Sequence, residues 1–206
     1  EIHHRVKNNL QIISSLVSMQ QRSLGDPAAR AAMQDTRQRI SALALIYRAL
    51  YQGPDLKRVD LRQFLEELTA QLIVADGSDH KVRTELSVDD LTIDPDKLAP
   101  LALFTVEAIT NAQKHAFRDR VGGVLKVDFR IDGEMASIEI ADNGGSGVAE
   151  LGEGVGRTLM MAFARQLNGK AEFFTNAEGG LTARLRFPAP GEAGKATKLG
   201  RNQAAA

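Results

Sequence analysis

Apolar residues in the first fifty positions recur at spacings of three and four. Val6, Leu10, Ile13 and Val17 form one seam of heptad type. Ser23-Leu24-Gly25-Asp26-Pro27 interrupts it, with Gly25 suited to a helix C-terminus, Asp26 to an N-cap and Pro27 to the first helical position. Met33, Thr36, Ile40, Leu43, Tyr47 and Leu50 then resume the spacing. The pattern predicts two long helices joined by a short loop, an antiparallel hairpin. One face of such a hairpin is apolar and has nothing of its own to cover it. Pairing with a second copy, into a dimeric four-helix bundle, is therefore expected.

The period changes after the turn Gln52-Gly53-Pro54-Asp55. A helix is expected over Leu61 to Ala75 and an alternating strand over Val82 to Val88. A further helix starts at Asp94-Pro95 and runs to Phe117, its regular part beginning between Asp96 and Pro100 because of the internal proline. Strands are predicted at Val124 to Ile131 and Ala136 to Ala141. After a glycine-rich loop come a helix from Arg157 to Asn168 and strands at Ala171 to Thr175 and Leu181 to Phe187. Short connections favour a mostly antiparallel sheet with helices on one face, an α+β chain. The expected domains are a helical hairpin over 1–53, a mixed domain over 54–190 and a disordered tail over 191–206.

Composition narrows the chemistry. The 206 residues hold no cysteine, which excludes disulfides, thiolate metal sites and thiol nucleophiles. No apolar run approaches the roughly 18 residues that would cross a bilayer. The formal net charge is zero, which argues against nucleic acid as a default partner. That zero is a sum of unequal parts. Residues 1–60 hold nine Lys and Arg against five Asp and Glu, residues 61–190 hold 14 against 20, and residues 191–206 hold three against one. A basic hairpin precedes an acidic domain. The start at Glu1, already inside the helical pattern, predicts further chain upstream.

Two groups of residues stand out. At about 100° per residue, His4 points roughly 150° from the centre of the first seam, into solvent, while His3 lies on its flank. Asn8 follows His4 by one turn on the same face. An exposed histidine on a helix is most often plain surface, but a rigidly held imidazole is also a competent phosphoryl acceptor. In the helix after Pro95, Glu107, Asn111 and Lys114 lie on one stripe with His115 beside them. On spacing alone this is equally a solvated face. An amide oxygen can also ligate magnesium, and an ammonium can meet phosphate. Downstream, a strand runs into Asp142-Asn143-Gly144-Gly145-Ser146-Gly147, and Gly152-Glu153-Gly154-Val155-Gly156 directly precedes a helix. Such glycines admit close backbone approach, and a helix N-terminus offers N–H groups to phosphates.

EIHHRVKNNLQIISSLVSMQQR resembles the dimerisation and phosphoacceptor segment of bacterial sensor histidine kinases of the HisKA_2 type, kin of the HWE kinases, with a His-Arg-x-x-Asn box at His4 to Asn8. The absence of tryptophan favours the HisKA_2 side. VEAITNAQKHAF looks like the N box of the Bergerat-type ATPase domain, and GVGRTLMMAFARQLNG like its second glycine box. The resemblance implies a Bergerat-type α/β sandwich after the hairpin, ATP and magnesium as cofactors, and a cytoplasmic location. It implies a homodimer that phosphorylates His4 and passes the group to a response-regulator aspartate, with Asn8 assisting phosphatase chemistry. It makes Asn111 the magnesium ligand, Glu107 the polar group near the γ-phosphate, and Lys114 and His115 phosphate contacts. Asp142 would contact adenine, with Gly144, Gly147, Gly154 and Gly156 in the glycine boxes.

Three features depart from the family pattern. Ser146 stands at the second glycine position of the first box unless Gly147 fills it by a one-residue shift. Arg157 follows Gly156, where a small hydrophobic residue is usual. The Val148-Ala149-Glu150-Leu151 lid is short. They favour an alternative, a histidine phosphotransferase or response-regulator phosphatase on a degenerate kinase scaffold with little ATP use. A gyrase- or chaperone-type ATPase is a third option, but it leaves the His4 hairpin without a purpose.

Overall fold

Helices α1 (Ile2–Ser23) and α2 (Pro27–Gln52) form the expected hairpin. The computed structural model describes residues 2–52, 59–75, 82–117, 122–145 and 154–189, and of residues 2–5 and 7 the backbone alone. The turn at 53–55, Ser146, Gly147, the 148–151 lid and the 191–206 tail lie outside the described residues. The loop between the helices closes as its residues suggest. The N–H groups of Ala28 and Ala29 donate to the two Asp26 carboxylate oxygens at 3.1 and 3.2 Å. Val6, Leu10 and Val17 are half-buried. Ile13, expected in the same seam, is 45% exposed and joins Ile12, Leu16 and Met19 on an open apolar flank.

Alternation of period two builds the sheet. Strands β4 (Gly123–Asp132), β5 (Met135–Asp142) and β7 (Leu181–Pro188) turn Leu125, Val127, Phe129, Ala136, Ile138, Ile140, Ala183, Leu185 and Phe187 onto one buried face. The opposite face carries ion pairs, Arg130 with Asp89 and Asp128, and Arg184 with Glu139. Solvated pairs of this kind contribute little because water screens them, so the apolar face carries the stability.

The strand order is β2-β4-β5-β7-β6, with β2 (Val82–Val88) and β6 (Lys170–Thr175) at the edges. The β4–β5, β5–β7 and β7–β6 pairs are antiparallel, as expected. The β2–β4 pair is parallel, Val82 facing Gly123 and Val88 facing Phe129. A two-residue pair, β1 (Val59–Asp60) with β3 (Thr92–Ile93), was not foreseen because two residues are too few to alternate.

Helices α3 (Leu61–Ala75), α4 (Pro95–Asn111) and α5 (Val155–Gln166) complete the layer. Helix α4 lies at its centre, in contact with α2, α3, α5 and β5. The Lys97 and Leu98 N–H groups donate to the Asp94 carbonyl, so the helix starts at Pro95 and runs through Pro100. It starts earlier than the proline had suggested. It passes into a π-helical turn at Ala112–Ala116, where the Phe117 N–H donates to the Ala112 carbonyl five residues back. The uninterrupted helix expected to Phe117 is thus two geometries in series. Helix α5 begins at Val155, two residues before the expected Arg157.

Phe129 is wholly buried and meets Phe187 at a ring-centroid distance of 6.4 Å. Phe129→Ala is expected to cost about 3–5 kcal/mol through lost transfer energy and a cavity. Its neighbour Arg130→Ala, on the solvated face, should leave stability nearly unchanged. Urea denaturation followed by circular dichroism measures both, and equal costs would contradict the one-sided core.

Candidate functional site

The residues singled out on α4 and the π turn that continues it cluster as their spacing suggests. Glu107 is 4% exposed, Asn111 and Lys114 are half-buried and His115 is exposed. The N-terminus of α5 abuts the stripe. A Cβ on Gly156 would lie 3.1 Å from Glu107 Oε2 and 3.5 Å from Asn111 Oδ1. The second glycine cluster and the α4 stripe, 45 residues apart between Asn111 and Gly156, thus meet through a position where a side chain would crowd Glu107 and touch Asn111.

Asp142 ends β5 and is 7% exposed. Its Oδ1 accepts from the Gly144 N–H at 2.8 Å and the Leu181 N–H at 3.3 Å. Gly144 packs against Ala116, the last residue of the π turn, and has no space there for a side chain. The Asp142 loop and the end of α4 therefore touch. Gly145 continues the loop at φ +83°, where glycine carries no steric cost.

Three participants were not read from the sequence. Asn176 Nδ2 donates to the Asp142 carbonyl at 2.8 Å, while its Oδ1 accepts from Gly180 N–H at 3.0 Å. Gly180 lies so close to Asp142 that a Cβ would collide with its carbonyl. Thr182, 2% exposed, stands within 3.4 Å of Asn176 Nδ2. The Asn-x-x-Gly-Gly run between two strands signals a turn, but not what the turn packs against.

The stripe does not stand open on the side of the hairpin. Arg39 of α2 donates from Nε and Nη2 to the two Glu107 oxygens at 2.5 and 3.0 Å. The Lys114 ammonium pairs with Asp35, and the Thr110 hydroxyl donates to Gln38 Oε1 at 3.1 Å. The Arg39 guanidinium is held above its ordinary pKa, first by the hydrogen bond to Glu107, with desolvation opposing and the Glu107 and Asp35 charges assisting. It stays charged throughout the working pH range. Arg157, flagged as a departure, stacks its guanidinium 5.4 Å from the centre of the Phe173 ring. His4 lies in the first turns of α1 and Asn8, exposed, one turn later. The His4 side chain and Gly147 lie outside the described residues, and Gly154 is exposed as the N-cap of α5.

Residues 1–75 match the HisKA_2 family, described as a histidine kinase. The matched stretch is the hairpin and the helix after it, and over it the chain is similar to that family. The match continues beyond them. The chain is 28% identical over 197 residues to the sensor histidine kinase PdtaS of Mycolicibacterium smegmatis, covering 91% of this chain and 39% of that protein. It is 32% identical over 117 residues to PdtaS of Mycobacterium tuberculosis, covering 57% and 23%. The chain spans well under half the length of these histidine kinases. In structure it is similar to the histidine kinase domain of a blue-light-activated histidine kinase from Erythrobacter litoralis. The TM-score is 0.66 at 23% identity, over 91% of each chain. That likeness is one of fold, a helical hairpin followed by a mixed sheet with helices packed on it. No helix among the described residues is long and apolar enough to cross a membrane.

Asp142 organises its loop through two backbone N–H groups. Asp142→Ala removes the acceptor of both and is expected to cost about 1–3 kcal/mol for each donor left buried. Asp142→Asn keeps an oxygen acceptor and should cost less. Thermal or urea unfolding orders the two variants, and equal stability of the two would show that the loop does not depend on this oxygen.

Proposed function

We propose that the chain is the phosphoacceptor and ATP-binding part of a sensor histidine kinase. The observation that carries this is the meeting of Gly156 at the α5 N-terminus with Glu107 and Asn111. A helix start without a side chain, beside an amide oxygen and a carboxylate, suits a polyphosphate. In this proposal residues 1–53 are the phosphotransfer hairpin, 54–190 the ATP-binding domain and 191–206 a tail.

Asn111 Oδ1 is a hard oxygen donor of the kind magnesium accepts alongside substrate phosphates. Magnesium, when bound, screens the phosphate charges. Lys114 and His115 contact the phosphates, and Glu107 stands beside the γ-phosphate. Asp142 accepts from the adenine amine. Gly144, Gly147, Gly154 and Gly156 let the backbone close on the nucleotide. A ring nitrogen of His4 attacks the γ-phosphorus, the new N–P bond forms as the P–O bond to ADP breaks, and ADP departs with its electron pair. The work of the protein is positioning and charge stabilisation. A response-regulator aspartate then accepts the phosphoryl group from His4, and Asn8 assists a separate phosphatase reaction in which water hydrolyses the aspartyl phosphate and releases inorganic phosphate. The basic hairpin is a docking surface for the acidic pocket of that regulator. The open flank of Ile12, Ile13, Leu16 and Met19 supports a homodimer through the four-helix bundle. A place in the cytoplasm, as part of a longer sensor protein, belongs to the same proposal.

The alternative is a phosphotransferase or phosphatase with little ATP use. It is favoured by Ser146 in the first glycine box and by the engagement of Glu107 and Lys114 with α2.

Incubation with γ-labelled ATP and magnesium tests both. The chain is expected to take up label, and His4→Ala to take up none. Asn111→Ala should lower nucleotide affinity by about ten- to a hundredfold, the worth of one charge-assisted contact, as read by calorimetry. Undiminished labelling of His4→Ala rules out this acceptor. Transfer to or from a phosphorylated regulator without any nucleotide binding favours the alternative.

A further inference from the structure

Helices α2 and α4 pair their polar side chains rung by rung. Arg39 meets Glu107, Gln38 meets Thr110, and Asp35 meets Lys114. Numbers fall along α2 as they rise along α4, so the two run antiparallel at this seam. Positions 35, 38 and 39 are one stripe of α2. Gln38, Glu107 and Thr110 are each about 5% exposed or less. A cation faces an anion at both ends, with opposite polarity. Sliding one helix past the other would set like charges closer, so the register is specified.

The seam has a defect as a permanent joint. Asp35 Oδ1 is buried with no hydrogen-bond partner among the described residues. A buried carboxylate oxygen left bare is costly, and a joint meant never to open would satisfy it. The seam also draws on groups with another use. Glu107 and Lys114 are the residues assigned above to the phosphate end of the site. A single ammonium cannot give its full charge to Asp35 and to a phosphate at once.

We infer that the Asp35–Gln38–Arg39 stripe is a latch that competes with nucleoside triphosphate for the α4 stripe. The docked hairpin weakens nucleotide binding, and nucleotide loosens the hairpin by the same factor. The inference rests on the proposed nucleotide site. It adds an order of events: a phosphate group takes Lys114 from Asp35, the seam opens from that end, and the hairpin that bears His4 is freed to re-seat against the loaded domain. A seam that only glued the two parts together would be indifferent to nucleotide.

The chain has no cysteine, so Ala31→Cys and Gln166→Cys, both at exposed positions, take two spin labels and no others. Labelled chain is diluted into unlabelled chain so that one copy per dimer is read. Without nucleotide a single narrow inter-label distance is expected. A non-hydrolysable ATP analogue with magnesium should add a second distance. Asp35→Asn keeps the side-chain shape and removes the charge. It is expected to show the second distance without nucleotide and to bind the analogue about fivefold more tightly by calorimetry. Asp35→Ala repeats the measurement with a different side chain, and circular dichroism checks that both variants are folded. Analogue affinity within about twofold of the parent, or distances unmoved by nucleotide and by both variants, overturns the latch. No analogue binding to parent or variants overturns the nucleotide site and the latch with it. Binding that ignores Asp35 overturns the latch alone.

Discussion

Glu107 carries a charge into a helix that is buried along almost its whole length, and most of the architecture around it answers that fact. A carboxylate out of water needs a counter-charge and hydrogen bonds. The fork of Arg39 supplies both, with two parallel bonds. Because Arg39 comes from the hairpin, the pair also fixes where the hairpin sits. Ala42, Leu45 and Ile46, the next turns of α2, are then buried with the core of the mixed domain. One ion pair thus couples the burial of apolar surface between two parts that the chain presents as separate.

On the opposite side of the site the hydrogen bonds seen among the described residues are to neutral groups. Asp142 is held by backbone N–H groups, by the glycine turn against it and by Asn176, which ties that turn to the strand end. None of these partners is charged. The arrangement divides the site: the α4 stripe carries its charges, and the Asp142 side carries a fixed pattern of donors and acceptors, the division that the proposed nucleotide would meet with its phosphates and its base.

What could be read from residues alone was what local periodicity encodes. Asp26 and Pro27 marked the start of α2 because a cap acts on the next three residues. The alternation of Leu125, Val127 and Phe129 marked a strand with one buried face. The α4 stripe was legible because helical spacing put Glu107, Asn111 and Lys114 together. The π turn was not, since nothing in Ala112–Ala116 departs from ordinary helix formers. The pairing of Arg39 with Glu107 spans 68 residues, and such contacts leave no period. Asp35, Gln38 and Arg39 did show a polar stripe interleaved with Met33, Thr36 and Ile40. Polar residues on a helix are ordinarily a solvated face, so that stripe by itself names no partner.

The parallel pairing of β2 and β4 has a topological consequence. Two neighbouring strands that point the same way require the chain between them to travel back across the sheet, and α4 makes that return. Its C-terminal end is thereby delivered to the edge where β4 begins. Strand β5 comes back along β4, and its last residue, Asp142, faces Leu125 near that same beginning. The end of the α4 stripe and the end of β5 are neighbours by connectivity, before any side chain is chosen. Had β2 and β4 been joined as a hairpin, the helix would have emptied at the other rim, and the charged and neutral halves of the site would face away from each other.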